Sequence, residues 1–108
     1  MTKKVKICIN DSIRIYDPDN ILCIATGNHG SIAMKKLGNS EEIPMSIEEL
    51  ETKFGSFFRI NHDYLINLSY LDGVSDLENG FVLIDNHYKI PIDRDKKQLL
   101  FEALSKLS

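Results

Sequence analysis

The run Ile21-Leu22-Cys23-Ile24-Ala25 constrains this chain more than any other feature. An unbroken apolar stretch of this length, bounded by turn residues, reads as a strand buried on both faces. Before it, the pattern is period two. Val5, Ile7 and Ile9 alternate with Lys6 and Cys8, and Ile13 and Ile15 repeat the pattern around Arg14. Asp17-Pro18-Asp19-Asn20 breaks the alternation as a turn. Gly27-Asn28-His29-Gly30 suits a tight loop, and Ser31 to Lys36 then runs back as a hairpin partner with Ile32 and Met34 inward.

One short helix is signposted next. Ser46 is a good N-cap and Glu49, three residues on, completes a capping box. Ile47, Leu50 and Phe54 form one apolar stripe, and Gly55 follows as the C-cap. Glu48, Glu49 and Glu51 are read as the solvent face of this helix, placed where its dipole favours acids. From Phe57 strand character returns, with Phe58, Ile60, Tyr64, Ile66, Leu68, Tyr70 and Val74 interrupted by Asn, Asp and Gly. Asp85-Asn86-His87 joins a hairpin whose second arm contains Pro91, which places that arm at a sheet edge. Asp93 is expected to cap a closing helix with Leu99, Leu100, Ala103, Leu104 and Leu107 buried. The expected fold is mainly β, with one short internal helix and a C-terminal helix, in a single domain over residues 1–108.

Composition agrees with a globular domain: 43% of the 108 residues are hydrophobic and 27% charged. No apolar run approaches the roughly 18 residues of a membrane helix, and no export signal is evident. Cys8 and Cys23 are too few and too far apart for a zinc knuckle or redox pair, and both read as small core residues. A reduced, cytoplasmic location is the expectation. Gly-rich phosphate loops, Gly-x-Ser-x-Gly elbows and His-Glu-x-x-His pairs are absent, so no enzyme, cofactor or metal is expected. His29, His62 and His87 fall in three separate turns and read as exposed turn residues.

Charge is unevenly spread. The net charge is −3, which argues against a phosphate-binding surface. Residues 1–40 nevertheless carry six bases and three acids, and residues 89–108 five bases and three acids. A basic surface built from the two ends of the chain is therefore open to it.

Two segments carry a family pattern. The first is Phe57-Phe58-Arg59-Ile60-Asn61-His62-Asp63-Tyr64-Leu65-Ile66-Asn67, and the second is Ile90-Pro91-Ile92-Asp93-Arg94-Asp95-Lys96-Lys97. Together they resemble the LytTR DNA-binding domains, output modules of bacterial response regulators. The central stretch of that family typically reads Phe-x-Arg-x-His-Arg-Ser-Tyr-x-x-Asn and the late one Ile-Pro-Val-Ser-Arg, with a hairpin between them that often holds Asn-Gly. The helix from Ser46 to Glu51 looks like the family's Ser-Leu-x-x-Leu-Glu helix. The resemblance runs from about Ile21 to Leu104.

The resemblance implies a strand-rich fold that contacts double-stranded DNA through inter-strand loops entering the major groove. Its contacting positions correspond here to Asn28 and His29, to Asn61, His62 and Asp63, and to Arg94 with Lys96 and Lys97. Arg59 and Asn67 are expected to hold the fold, Asn67 by satisfying loop backbone groups. The implied role is sequence-specific DNA binding in a bacterial transcriptional regulator. Direct repeats would be bound by two copies side by side as a homodimer on DNA, under control of a receiver domain or sensor partner, away from any membrane. Arg94 suits a guanine edge, and Asn28 or Asn61 an adenine edge. Asn61, His62, Asp63 and Asp93 replace the usual His, Arg, Ser and Ser. That exchange of a cation for anions should weaken binding and flatten its salt dependence. The alternative it raises is a protein-interaction or inhibitory module that has lost tight DNA binding.

Overall fold

The computed structural model describes residues 3–75 and 80–106. Along them run β1 (Val5–Ile9), β2 (Ser12–Tyr16), β3 (Ile21–Gly27), β4 (Gly30–Lys35) and β5 (Ser40–Ile43). Helix α1 (Ile47–Lys53) follows, then β6 (Phe58–Asn61), β7 (Tyr64–Ile66), β8 (Leu71–Ser75), β9 (Phe81–Ile84), β10 (Tyr88–Pro91) and helix α2 (Lys97–Leu104). All pairings are antiparallel, in sheets ordered β1-β2, β5-β4-β3-β7-β6 and β10-β9-β8.

The apolar run at Ile21–Ala25 lies in β3, at the centre of the five-stranded sheet, and all five residues are buried. On one side Ile21 and Ile24 pack with Ile7 and Tyr16 of the first hairpin and Leu50 and Phe54 of the α1 segment. On the other, Leu22 and Cys23 pack with Val82, Ile84 and Ile90 of the third sheet and Leu100 of α2. Consecutive Leu22 and Cys23 share a side because the register against β4 shifts between Ile21 and Cys23. Each cluster removes apolar surface from water, and the two-stranded β1–β2 hairpin would be marginal without the central sheet beneath it.

Polar contacts then pin the layers. The Tyr16 hydroxyl donates to Glu41 Oε2 at 2.8 Å and Lys35 Nζ donates to Glu41 Oε1 at 2.6 Å, tying the first hairpin to β4 and β5. Lys35 above all holds the Glu41 carboxyl below its ordinary range, against the opposing effect of burial. Asn67, itself buried, donates from Nδ2 to the carbonyls of Pro18 and Ile21, both at 3.0 Å. Its Oδ1 accepts from the Ser69 N–H at 3.0 Å, so the side chain satisfies loop backbone groups as the family pattern implies.

Several local expectations are corrected. Ile13 and Ile15 are 62% and 59% exposed. The β1–β2 register pairs them with Cys8 and Lys6, which puts all four on the outer face of a hairpin covered on one side only. Cys8 is exposed for the same reason and is not a core residue. In β4, Ser31 and Ala33 are fully buried, Ala33 in the first cluster, whereas Ile32 and Met34 are half-buried, and Met34 packs inward against the second cluster. Gly55 does not cap α1. The cap is Phe54, at φ −101°, whose N–H bonds the Leu50 carbonyl. Asp93 stands before a short 3-10 turn over Arg94–Lys96, makes no side-chain cap bond, and α2 starts only at Lys97. Leu99 is exposed, Leu100 buried, Ala103 and Leu104 half-buried, and Leu107 lies outside the described residues.

Other turns follow their chemistry. Asp85 and Asn86 both take positive φ (54° and 53°), and the His87 N–H closes onto the Ile84 carbonyl at 3.0 Å. A two-residue reversal of that hand matches the twist of the β9–β10 hairpin. Pro91 ends β10, an edge strand, as its missing N–H requires.

Candidate nucleic-acid interface

The construction of this region starts with α1. The Ser46 hydroxyl oxygen accepts from the Glu49 N–H at 3.2 Å, and Ile47, Leu50 and Phe54 anchor the segment against the central sheet. That anchoring turns Glu48 and Glu51 toward β6. Arg59, whose side chain is only 11% exposed, meets both: Nη1 donates to Glu51 Oε1 at 2.9 Å and Nη2 to Glu48 Oε2 at 3.2 Å. The same guanidinium donates from Nε to the Asn61 carbonyl at 2.9 Å and from Nη2 to the His62 carbonyl at 2.7 Å. One planar group thus holds the β6–β7 turn against α1, with its charge balanced by two carboxylates. Glu48 is held below the ordinary carboxylate range, first by a backbone N–H at the start of the helix and then by Arg59.

The turn itself is fixed by Asn61. Its Oδ1 accepts from the Asp63 N–H at 2.7 Å, while Nδ2 donates to the Pro91 carbonyl at 2.8 Å. The Asp93 N–H donates to the Ile60 carbonyl at 3.2 Å, so the segment leading to Arg94 is laced to the end of β6. On the other side the Thr26 N–H donates to the Asp63 carbonyl at 2.9 Å, which joins the β6–β7 turn to the β3–β4 turn carrying Asn28 and His29. Gly30 closes that last turn at φ +125°, where a Cβ would stand 2.5 Å from the Ile43 carbonyl oxygen. Only glycine fits there.

Three separated turns therefore share one edge of the molecule. Asn28, His29, His62, Asp63 and Arg94 are exposed on it, Asn61 is half-buried within it, and Lys96 and Lys97 are half-buried at the start of α2. His29, His62 and Asp63 line one open cleft of about 420 Å³ together with Thr26, Glu48 and Glu49. The edge is polar but not uniformly basic. The acids expected merely to face solvent from α1 instead supply counter-charges to Arg59 and an acidic corner beside the histidines. Their pairing joins positions 8 and 11 residues apart on different elements, which no local pattern signals. His87 sits in an exposed turn against Tyr88, with ring centroids 4.8 Å apart. Among the described residues no group of His, Cys, Asp or Glu is arranged to hold a metal ion.

A family model for the LytTR DNA-binding domain matches residues 11–105. The chain belongs to the LytTR DNA-binding domain family. Its fold is similar to the LytTR DNA-binding domain of a protein described as a methyl-accepting/DNA response regulator from Bacillus cereus, with a TM-score of 0.74. The two chains are 13% identical, and the match covers 94% of this chain and 95% of the other. Among curated proteins none matches. This LytTR domain is thus a DNA-binding module of the kind used in transcription regulation by response regulators. Among the described residues no helix is long and apolar enough to cross a membrane.

Proposed function

We propose that this LytTR domain reads the major groove of duplex DNA in a sequence-specific manner through the three joined turns, in a cytoplasmic bacterial transcriptional regulator. The observation that carries the reading is the lacing of those turns: Thr26 to Asp63, Asn61 to Pro91, and Asp93 to Ile60. Preorganised loops meet DNA without ordering costs of their own. Arg94 presents a fork suited to guanine O6 and N7, Asn28 an amide suited to adenine, and His29 and His62 single donors to base edges or phosphates. Lys96 and Lys97 anchor phosphates and set register. Asn61 spends its amide on Asp63 and Pro91 and serves by holding His62 in place. Direct repeats, two copies on one DNA face and a receiver or sensor partner complete this reading.

Selection from a random duplex pool at low salt tests it. One sequence family should be enriched, Arg94→Ala should cost about 1–3 kcal/mol and relax one base position, and Lys97→Ala should weaken all sequences alike. No enrichment, with Arg94→Ala silent, sinks the reading. The acidic corner of Glu48, Glu49 and Asp63 beside His29 and His62 favours a second one, a protein-interaction or inhibitory module. In that case the pool yields nothing while a protein partner is still captured at this edge.

A further inference from the structure

Three acids line the open cleft beside the turns, and two of them are engaged within the fold. Glu48 meets Arg59 at 3.2 Å, and Glu49 accepts from the Ser46 hydroxyl at 3.3 Å. The third, Asp63, is exposed, and its carboxylate makes no hydrogen bond or ion pair among the described residues. Its backbone, in contrast, is held on both sides. The Asp63 N–H donates to Asn61 Oδ1 at 2.7 Å, and the carbonyl accepts from the Thr26 N–H at 2.9 Å and the Thr26 hydroxyl at 3.4 Å. An aspartate has two side-chain torsions only, so a carboxylate on so fixed a backbone reaches a small region of space and costs little to order.

The effect of such an anion on DNA depends on which group it meets. Near phosphate it repels, which the serine usual at this position in the family would not do. At a base edge it selects. An ionised carboxylate is an acceptor only. In the major groove guanine shows acceptors at N7 and O6, and thymine an acceptor at O4 beside its methyl group, so neither offers it a donor. Adenine sets its N6 amino donor next to the N7 acceptor, a pattern matched by an amide and not by a carboxylate. Cytosine shows the N4 amino donor with no acceptor beside it on the same base, and is the fitting partner. A serine hydroxyl, donor and acceptor at once, discriminates among these groups far less.

We infer that Asp63 is a specificity-determining residue of this domain, its carboxylate accepting from the N4 amino group of one cytosine and thereby requiring cytosine at that position. This role rests on the DNA reading proposed above and adds to it the base that the β6–β7 turn selects. The acid lowers affinity for every duplex through phosphate repulsion, and recovers it only where the amino group is present. Any other base leaves a desolvated carboxylate without a donor, which costs more than a missing neutral contact.

Selection from a random duplex pool, run in parallel on wild type, Asp63→Ser and Asp63→Asn, tests the assignment. The Asp63 side chain carries no bond in the fold, so both variants keep the turn. Wild type should enrich sites with a cytosine at one position that Asp63→Ser leaves free and at which Asp63→Asn favours adenine. Exchanging that base pair should weaken wild type about tenfold and Asp63→Ser little. Asp63→Ser should also bind the exchanged sites more tightly than wild type does, by a margin that added salt reduces. A site carrying N4-methylcytosine isolates the atom, because the base still pairs with guanine while a methyl group replaces the groove-facing N4 hydrogen. Wild type should lose the same tenfold or so on it, and Asp63→Ser nothing. Identical enriched sites for wild type and Asp63→Ser, or undiminished binding of wild type to the methylated site, would overturn the role of Asp63 and leave the DNA reading standing. Enrichment by Asp63→Ser alone would make Asp63 an inhibitor of binding and overturn its role as well. Failure of all three chains to enrich any sequence would remove the DNA reading itself, and this role with it.

Discussion

Arg59 Nη2 donates to the His62 carbonyl at 2.7 Å, while Nε of the same guanidinium donates to the Asn61 carbonyl two residues along the chain from Arg59 at 2.9 Å. A side chain at the start of a β-turn thus dictates where the tip of that turn stands. Glu48 and Glu51 complete the arrangement and balance the charge of a nearly buried guanidinium.

Arg59→Ala should therefore separate stability from recognition. Removing the guanidinium leaves two backbone carbonyls without their donor and two carboxylates without a counter-charge, at a cost of about 1–3 kcal/mol in urea unfolding. DNA affinity should fall further than that loss of folded protein explains, because the His62 turn is released in molecules that remain folded. Arg59→Lys should recover little, since one ammonium does not reproduce four directed N–H bonds. Equal binding by wild type and Arg59→Ala, measured under conditions where both are folded, would dissociate this clamp from DNA reading.

Leu37 carries a second kind of strain. It takes φ 67° in the turn between β4 and β5 and is 96% exposed, so no packing compensates a left-handed leucine. Leu37→Gly should raise stability by about 0.5–1 kcal/mol and the unfolding temperature with it. A fall in melting temperature on calorimetry would mean that Leu37 makes a stabilising contact in solution.

Much of the fold is legible locally, and what is not has a common cause. The buried β3 run, the Ser46 cap and the Asp85-Asn86 reversal are each encoded within a few residues and appear as the pattern implies. Ile13 and Ile15 mislead because alternation announces a two-sided strand without saying which side meets the core. That choice belongs to the register with β1, set by residues elsewhere. The same holds for the candidate interface. Its three turns could be named from a family pattern, yet the Thr26–Asp63 and Asn61–Pro91 bonds that assemble them join residues 37 and 30 positions apart.

The two cysteines should react very differently. Cys23 is fully buried beside Met34, and burial pushes its thiol up to about 12, so it stays protonated and shielded at pH 8. Cys8 is exposed on the outer face of the first hairpin. Titration with a thiol reagent at pH 8 should find one reactive group in the native protein and two in denaturant. Two fast thiols in the native state would show that the β3 side of the core opens readily.

Glu41 gives stability an acid limb. Its carboxyl accepts from Lys35 at 2.6 Å and from Tyr16 at 2.8 Å, and its pKa is lower in the folded protein than in the unfolded chain, where a glutamate titrates near about 4.3. A carboxyl shifted in that direction favours the fold in full above the unfolded pKa, and the contribution drains away as pH falls through the folded value. Glu41→Gln has no proton to gain there. Urea midpoints should therefore lie apart for wild type and Glu41→Gln at pH 7 and converge as pH drops below about 4. Because Arg14, Lys35 and Tyr16 all converge on this one carboxylate at the seam between the first hairpin and β5, the variant should also loosen that hairpin first, seen as faster amide exchange in β1 and β2 than in β3. Midpoints that run parallel across the whole pH range would show that the network contributes nothing to folding.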